Sequence, residues 1–255
     1  MIHKEGAQKM GEDKRQRLVA VIPVQSSVHI DTEFVIKHYV MPDPRFLVGL
    51  VYPRDSFAKG AAQMRNLGIK HVLDIEPTPD WAMFLDSDTC PRGNPLDAVA
   101  DDPDADVVVL MTPIWAPLSD PINPVLSNVW VPGEDGEPVA RWIDYENEGP
   151  YVEILKAGAG CMFVRAKVLQ DKDVRFIPSI NDDLLWDKSE DLAFCDLARE
   201  KGYKVRLYTP VLCGHYQLID IAKVHDAVSY WKEQAIGALR RVRELEEEKY
   251  AVVSG

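Results

Sequence analysis

The chain has 255 residues, 46% of them hydrophobic, enough for one large α/β domain or two small ones with a substantial core. A formal net charge of −12 argues against a surface built to neutralise a nucleic-acid backbone, leaving at most a local basic groove for that role. The charged opening, "MIHKEGAQKMGEDKRQR", has no apolar centre, so a flexible segment over 1–16 is expected rather than a signal peptide, and no later run reaches the length of a membrane-spanning helix.

The first ordered element expected is "RLVAVIP", a short β-branched run ended by proline and read as a buried strand. "DTEFVIKHYV" follows with helical spacing of Phe34, Val35 and His38 and with Asp31 as its N-cap. "RFLVGLVYP" reads as a second buried strand, and "DSFAKGAAQMRNLG" as a helix capped by Asp55 or Ser56 and closed by Gly68. The strand "WAMFLD", a short helix around "PLDAVADD" and the strand "DVVVLMTP" complete this half. Such alternation points to a mostly parallel sheet covered on both faces, in which ligands gather at the carboxyl ends of the strands.

Between Ile114 and Pro150 the composition turns to proline, tryptophan and glycine, and "VWVPGEDGEPVARWID" reads as a hairpin turning near Asp135 and Gly136. Trp130 and Trp142 are available to pack on one another or on something bound. Regular patterning returns with "AGAGCMFVRAKVL", with "SEDLAFCDLAREKGYKVRLYTP" as a helix capped by Ser189 and followed by a strand, and with "LCGHYQ". In the 221–255 segment, Val224, Val228, Trp231, Ala235, Ala238, Val242 and Leu245 repeat in steps of four and three. That seam suits either a long amphipathic helix lying on the domain or a coiled coil that pairs two copies of the chain. Cys90, Cys161, Cys195 and Cys213 form no CxxC pair and lie in apolar sequence, as expected of reduced thiols in a cytoplasmic protein.

The residues that carry chemistry begin with "FLDSD". Asp86 and Asp88 stand where an apolar strand runs out, and a turn through Ser87 would give them separate tasks, one on a divalent metal and one on a nearby hydroxyl. Hard cations such as Mg²⁺ and Mn²⁺ take oxygen ligands and share them with substrate phosphates. His215 in "CGHYQ" is open to two readings, a satisfied core histidine or, with Asp88, part of a metal site. Glu190 and Asp191 open a helix, where they either complement its dipole or supply a general base for an acceptor hydroxyl.

Taken in order, "VAVIPV", "QMRNLG", "FLDSD", "GAGCMFVR", "SEDLAFCDLAREKGYKV" and the terminal "GH" resemble the GT-A fold glycosyltransferases with a DxD motif, family 2-like enzymes in particular, across Arg17 to Tyr216. The resemblance implies a GT-A mixed sheet flanked by helices as a catalytic domain over 17–220, with 114–150 as a variable acceptor-side insertion and a long C-terminal helix. It further implies that Pro23, Val24 and Gln25 line a nucleotide pocket and that Arg54, Arg65 and Asn66 lie near the donor's base, ribose or phosphates. Asp86 and Ser87 would face the nucleotide, with Asp86, Asp88 and His215 around the metal, Mn²⁺ or Mg²⁺. Gly158, Ala159 and Gly160 would pass close to the transferred sugar, and Asp191, or in its place Glu190, would be the base of an inverting hexosyl transfer.

The donor implied is a UDP-sugar first and a GDP-sugar second, and the acceptor a hydroxyl of a protein, a glycan or a modified nucleobase. Two departures stand out: the opening strand lacks a T-x-N motif, and no Q-x-x-R-W block is present, which sets aside a processive polysaccharide synthase. A sugar-nucleotide nucleotidyltransferase would need a glycine-rich phosphate loop after the first strand, and "PVQSSVH" is not one. A non-catalytic sugar-nucleotide or glycan-binding protein of the same fold is the remaining alternative.

Overall fold

A computed structural model describes residues 15–24, 27–53, 60–100, 104–115, 125–143, 145–180 and 186–216, together with 232, 236, 237 and 241. In chain order the first half contains β1 (Gln16–Val21), α1 (Ile30–Val35), β2 (Phe46–Val51), α2 (Ala61–Leu73), β3 (Trp81–Leu85), β4 (Thr89–Pro91), α3 (Asp97–Ala100) and β5 (Val107–Leu110). Short strands follow: β6 (Ile114–Trp115), β7 (Val125–Leu126), β8 (Val129–Pro132) and β9 (Pro138–Ala140). The second half holds α4 (Tyr145–Glu148), β10 (Tyr151–Glu153), β11 (Lys156–Ala157), β12 (Cys161–Arg165), α5 (Ala166–Gln170), β13 (Ser179–Ile180), β14 (Trp186–Lys188), α6 (Glu190–Glu200), β15 (Val205–Tyr208) and β16 (Cys213–His215).

Seven strands form one mixed sheet in the order β10-β15-β5-β12-β3-β1-β2. β1, β2 and β3 run parallel, as do β5 and β15, while β12 lies antiparallel between β3 and β5 and β10 lies antiparallel on the edge. The central strands β3 and β5 are apolar at every position, and β12 at all but its last, because both faces are covered. Alternate residues accordingly fall into two cores. Val19, Val21, Phe84, Val109 and Met162 pack under α2, α5 and α6, and Leu18, Ala20, Met83, Val108 and Phe163 pack under α1 and α3. This is the mixed α/β sheet flanked by helices that the resemblance implies; the strand–helix alternation pointed to a mostly parallel one, and β10 and β12 make three of its six pairings antiparallel. Among the described residues no helix is long and apolar enough to cross a membrane, and all four cysteines are free.

Local details differ from expectation. The N-cap of α1 is His29, whose Nδ1 accepts the Asp31 N–H at 3.3 Å, so Asp31 lies in the first turn instead of capping it. Phe34 is half exposed while Thr32 and Val35 face inward, and a π-helical turn over Ile36–Val40 continues the helix. α2 starts after Gly60 and runs through Gly68 to its C-cap at Asp74; the Asp55 or Ser56 cap expected for it lies outside the described residues. Gly68 is needed for close approach, since a Cβ there would sit 2.3 Å from Val21 Cγ1 of β1. The hairpin is present as β8 paired with β9 around a positive-φ Gly136. Of the C-terminal stretch, Lys232, Ile236, Gly237 and Arg241 are helical and exposed; the remainder of the expected helix and its pairing role lie outside the described residues, as do residues 1–14.

Because α2 is seated on β1 through Gly68, Gly68→Ala should destabilise the fold by about 1–3 kcal/mol. Denaturant midpoints should show most of that loss recovered when Val21→Ala is added, since the clash is with the valine methyl.

Candidate active site

The site begins where β3 ends. Five fully buried residues lead to Asp86, whose N–H donates to Gly160 O at 2.9 Å. That bond exists because β12 is antiparallel to β3: its entry lies at the exit of β3, so Gly158, Ala159 and Gly160 arrive beside the acidic turn. The turn closes with Thr89 N–H donating to Asp86 O at 3.1 Å, and Ser87 O accepts the His29 N–H at 2.7 Å. β4 then pairs antiparallel with β16, placing His215 opposite Thr89, and Tyr216 N–H donates to Asp88 O at 2.9 Å. His215 is thus the last residue of a short strand.

The turn separates the two aspartates as expected. Asp86 faces Arg65 on α2, whose Nη2 donates to both carboxylate oxygens at 2.8 Å, while Nη1 donates to Glu190 Oε1 at 2.7 Å. The Arg65 side chain is only 4% exposed. Burial opposes its charge, but Asp86, Asp191 and Glu190 outweigh that and hold it above its ordinary range. Asp86 is itself lifted by burial, with Arg65 opposing the lift and Asp88 and Asp191 adding to it.

Asp88 faces the other way, with Oδ2 3.7 Å from His215 Nε2. His215 Nδ1 lies 3.1 Å from Pro113 O, and since a carbonyl only accepts, Nδ1 carries the proton there. Burial acts to raise Asp88, but the neighbouring His215 imidazole prevails and holds it low; Asp88 in turn raises His215.

Asp191 is the third feature. Its Oδ2 accepts the Ala159 N–H at 3.1 Å, and its Oδ1 accepts the Leu192 N–H at 2.8 Å and the Ser189 hydroxyl. Ser189 occupies the N-cap position of α6, yet its side chain binds Asp191 and makes no capping bond. A cavity of about 170 Å³ opens between Asp86, Asp191, His215, Thr112, Asn128 and Trp130, with Gly158, Ala159 and Gly160 also on its wall. The glycines are dictated by their neighbours: a Cβ at Gly158 would meet Asn128 Nδ2 at 2.5 Å, and one at Gly160 would meet Thr112 Oγ1 at 2.7 Å.

The fold therefore brings together Asp86, Asp88, Arg65, Glu190, Asp191, His215 and the glycine segment. Pro23 and Val24 are buried past the end of β1, where Val24 N–H donates to Pro53 O at 3.2 Å, and they do not line the cavity. Asn66 clamps the backbone of Phe176, donating to its carbonyl at 2.9 Å and accepting its N–H at 3.1 Å. Gln25 and Arg54 lie outside the described residues. Sequence reasoning missed Thr112 and Asn128, whose backbone N–H and Oδ1 bond at 3.0 Å. Thr112 was discoverable, since it stands two residues beyond β5 at the same ligand edge.

Could these residues hold a divalent ion? Among the described residues no group of three or more His, Cys, Asp or Glu is placed to do so together. The Asp88–His215 pair fits a site with few protein ligands, whose other positions go to phosphate oxygens and water. The Nδ1–H contact to Pro113 is the anchoring that metal-binding imidazoles use to aim the opposite nitrogen.

Asn66→Ala removes both bonds to Phe176 and should destabilise the chain by about 1–3 kcal/mol. UDP and GDP binding by calorimetry should be unchanged at temperatures where the variant is folded; a selective fall in either affinity would make Asn66 a donor contact instead.

No family model and no curated protein matches the sequence. Solved structures align with most of the chain. A197 from STIV aligns with a TM-score of 0.50 at 18% identity, over 80% of this chain and 87% of that one. GalNAc-T7, solved with UDP, GalNAc and Mn²⁺, gives 0.49 at 12% identity, over 79% of this chain and 43% of that one. The mannosyltransferase PcManGT from Pyrobaculum calidifontis, in complex with GDP-Man and Mn²⁺, gives 0.47 at 12% identity, over 79% and 57% respectively.

Proposed function

We propose that the chain is a metal-dependent GT-A glycosyltransferase that moves a hexosyl group from a nucleoside diphosphate sugar to a hydroxyl acceptor. One observation carries the reading: His215, with Asp88 behind it at 3.7 Å, and Asp191, held by the Ala159 N–H, line a single small cavity with Asp86 at the ligand edge of the sheet. The cavity is smaller than the roughly 300–1,000 Å³ clefts that take drug-sized ligands, which suits one ring-sized group. Its carboxylates outnumber the buried Arg65, and a cation is the natural complement to the excess.

In this reading Asp88 and His215 hold Mn²⁺ or Mg²⁺, which when bound offsets the charge growing on the leaving diphosphate. Asp191 takes the proton of the acceptor hydroxyl. The acceptor oxygen then bonds to the anomeric carbon as the bond to the diphosphate breaks from the opposite face, giving inversion. Hydrogen bonds from Ala159, Leu192 and Ser189 fix the carboxylate so that no reorientation is needed as the proton arrives. Glycines at 158 and 160 keep the wall close enough for main-chain contact with the sugar, and Trp130 offers an aromatic face along the same cavity. UDP is the first choice of nucleotide and GDP the second. The acceptor is a protein, glycan or modified nucleobase hydroxyl, and the cytoplasm is the proposed location.

The test is Asp191→Asn, assayed for nucleoside diphosphate release across UDP- and GDP-sugars with Mn²⁺ and candidate acceptors. Turnover should fall by roughly 10²–10⁴-fold with donor affinity retained. Unchanged turnover would remove Asp191 as the base, and indifference of the wild type to every donor would remove the transferase reading.

A further inference from the structure

We infer that Asn128 is a specificity-determining residue: its side-chain amide donates to a hydroxyl oxygen of the sugar being transferred, so that the cavity favours an oxygenated hexose over its deoxy counterpart. The inference rests on the glycosyl-transfer reading and deepens it by naming a group that tells one sugar from another.

The orientation of this amide is fixed by its surroundings. Asn128 stands just before β8 and is 6% exposed, and its main-chain O accepts the Gly158 N–H at 3.0 Å. Its Oδ1 accepts the Thr112 N–H, also at 3.0 Å. A main-chain N–H only donates, so the amide oxygen must face Thr112 and Nδ2 is the atom left over. A Cβ at Gly158 would stand 2.5 Å from Nδ2, so the glycine there leaves the amide room. Among the described residues no acceptor is bonded to Nδ2, and it is not sealed in: the buried side-chain polar atoms without partners are Arg65 Nε and Thr89 Oγ1. Nδ2 therefore meets open space, and Asn128 lines the cavity with Asp86, Asp191 and Trp130.

Other donors of that wall are spent within the protein. The Ala159 N–H and the Ser189 hydroxyl donate to Asp191, and the Thr112 hydroxyl donates to Leu110 O at 3.4 Å. A largely buried donor is costly to leave unmade, so a ligand that brings an acceptor to Nδ2 is favoured over one that does not. Asp86 and Asp191 line the same cavity and as carboxylates only accept. A hydroxyl satisfies both kinds of neighbour, accepting from the amide and donating to a carboxylate, whereas the methylene of a deoxy sugar does neither.

The test is calorimetric, on the full chain with Mn²⁺. UDP-glucose, UDP-galactose and GDP-mannose are titrated first, then the 2-, 3-, 4- and 6-deoxy forms of the donor bound most tightly, with UDP and GDP as probes of the nucleotide alone. In the wild type, loss of one particular hydroxyl should weaken binding by roughly 10–100-fold. Asn128→Asp keeps an acceptor for the Thr112 N–H and loses the donor. It should bind the full sugar nucleotide weaker by a similar factor, show no further loss with that deoxy form, and bind the bare nucleotide within about twofold of the wild type. Asn128→Ala, which adds no charge, should give the same pattern and serves if the aspartate variant does not fold.

Deoxy forms that bind the wild type as tightly as the parent donor would overturn the inference. So would equal losses in the variants for the nucleotide with and without its sugar, which would make Asn128 a support for the Thr112 backbone instead. A wild type that binds neither nucleotides nor sugar nucleotides would refute the glycosyl-transfer reading itself, an outcome distinct from both.

Discussion

A buried guanidinium needs partners to offset its charge, and at Arg65 the two terminal nitrogens, though not the unpartnered Nε, find them in a way that ties three elements together. Its stem rises from α2, its two nitrogens reach the end of β3 and the start of α6, and Phe176 closes beneath it. Taking a charge out of water is tolerable only when partners compensate, and breaking such a pair leaves the survivors exposed to a penalty of about 3–5 kcal/mol. The acidic residues around the cavity are thus held by a constraint of folding as much as of chemistry. Close seating of α2 on β1 at Gly68 is what brings the arginine within reach.

The second organising element is a reversal of direction. In an all-parallel sheet the entry of each strand lies at the far end from the ligand edge. β12 breaks that rule between β3 and β5, so a glycine-rich approach segment arrives at the edge instead of leaving it. Asp86 and Gly160 meet through the main chain, and the absence of Cβ atoms at 158 and 160 lets Asn128 and Thr112 pack directly on that segment. Shape and charge at the cavity follow from one antiparallel insertion together with one buried cation.

Much of this was legible in the sequence. The strands declare themselves as short apolar runs, and the acidic turn after "WAMFL" declares itself because like charges rarely follow a fully buried strand without reason. What could not be read is pairing across distance: Arg65 and Glu190 are 125 positions apart, and no periodicity links them. Gly68 misled because a glycine that ends a helix and one that admits a neighbour are the same letter, and only Val21 distinguishes them. His29 took the capping role through Nδ1, where the simple preference for aspartate pointed to Asp31. Asn66 looked like a donor contact and instead holds Phe176, since an amide matches a peptide group as readily as a nucleotide.

The pairing of β16 with β4 carries a consequence of a different kind. The position of His215 is set by a three-residue ladder and by the bond from Tyr216 N–H to Asp88 O, all of it main chain. Peptide groups are common to every residue but proline, so the imidazole's address is written in hydrogen bonds that substitution does not erase. A proline at 213 or 215 would remove a peptide N–H from that short segment, so its tolerance to change is governed by the backbone more than by side-chain character.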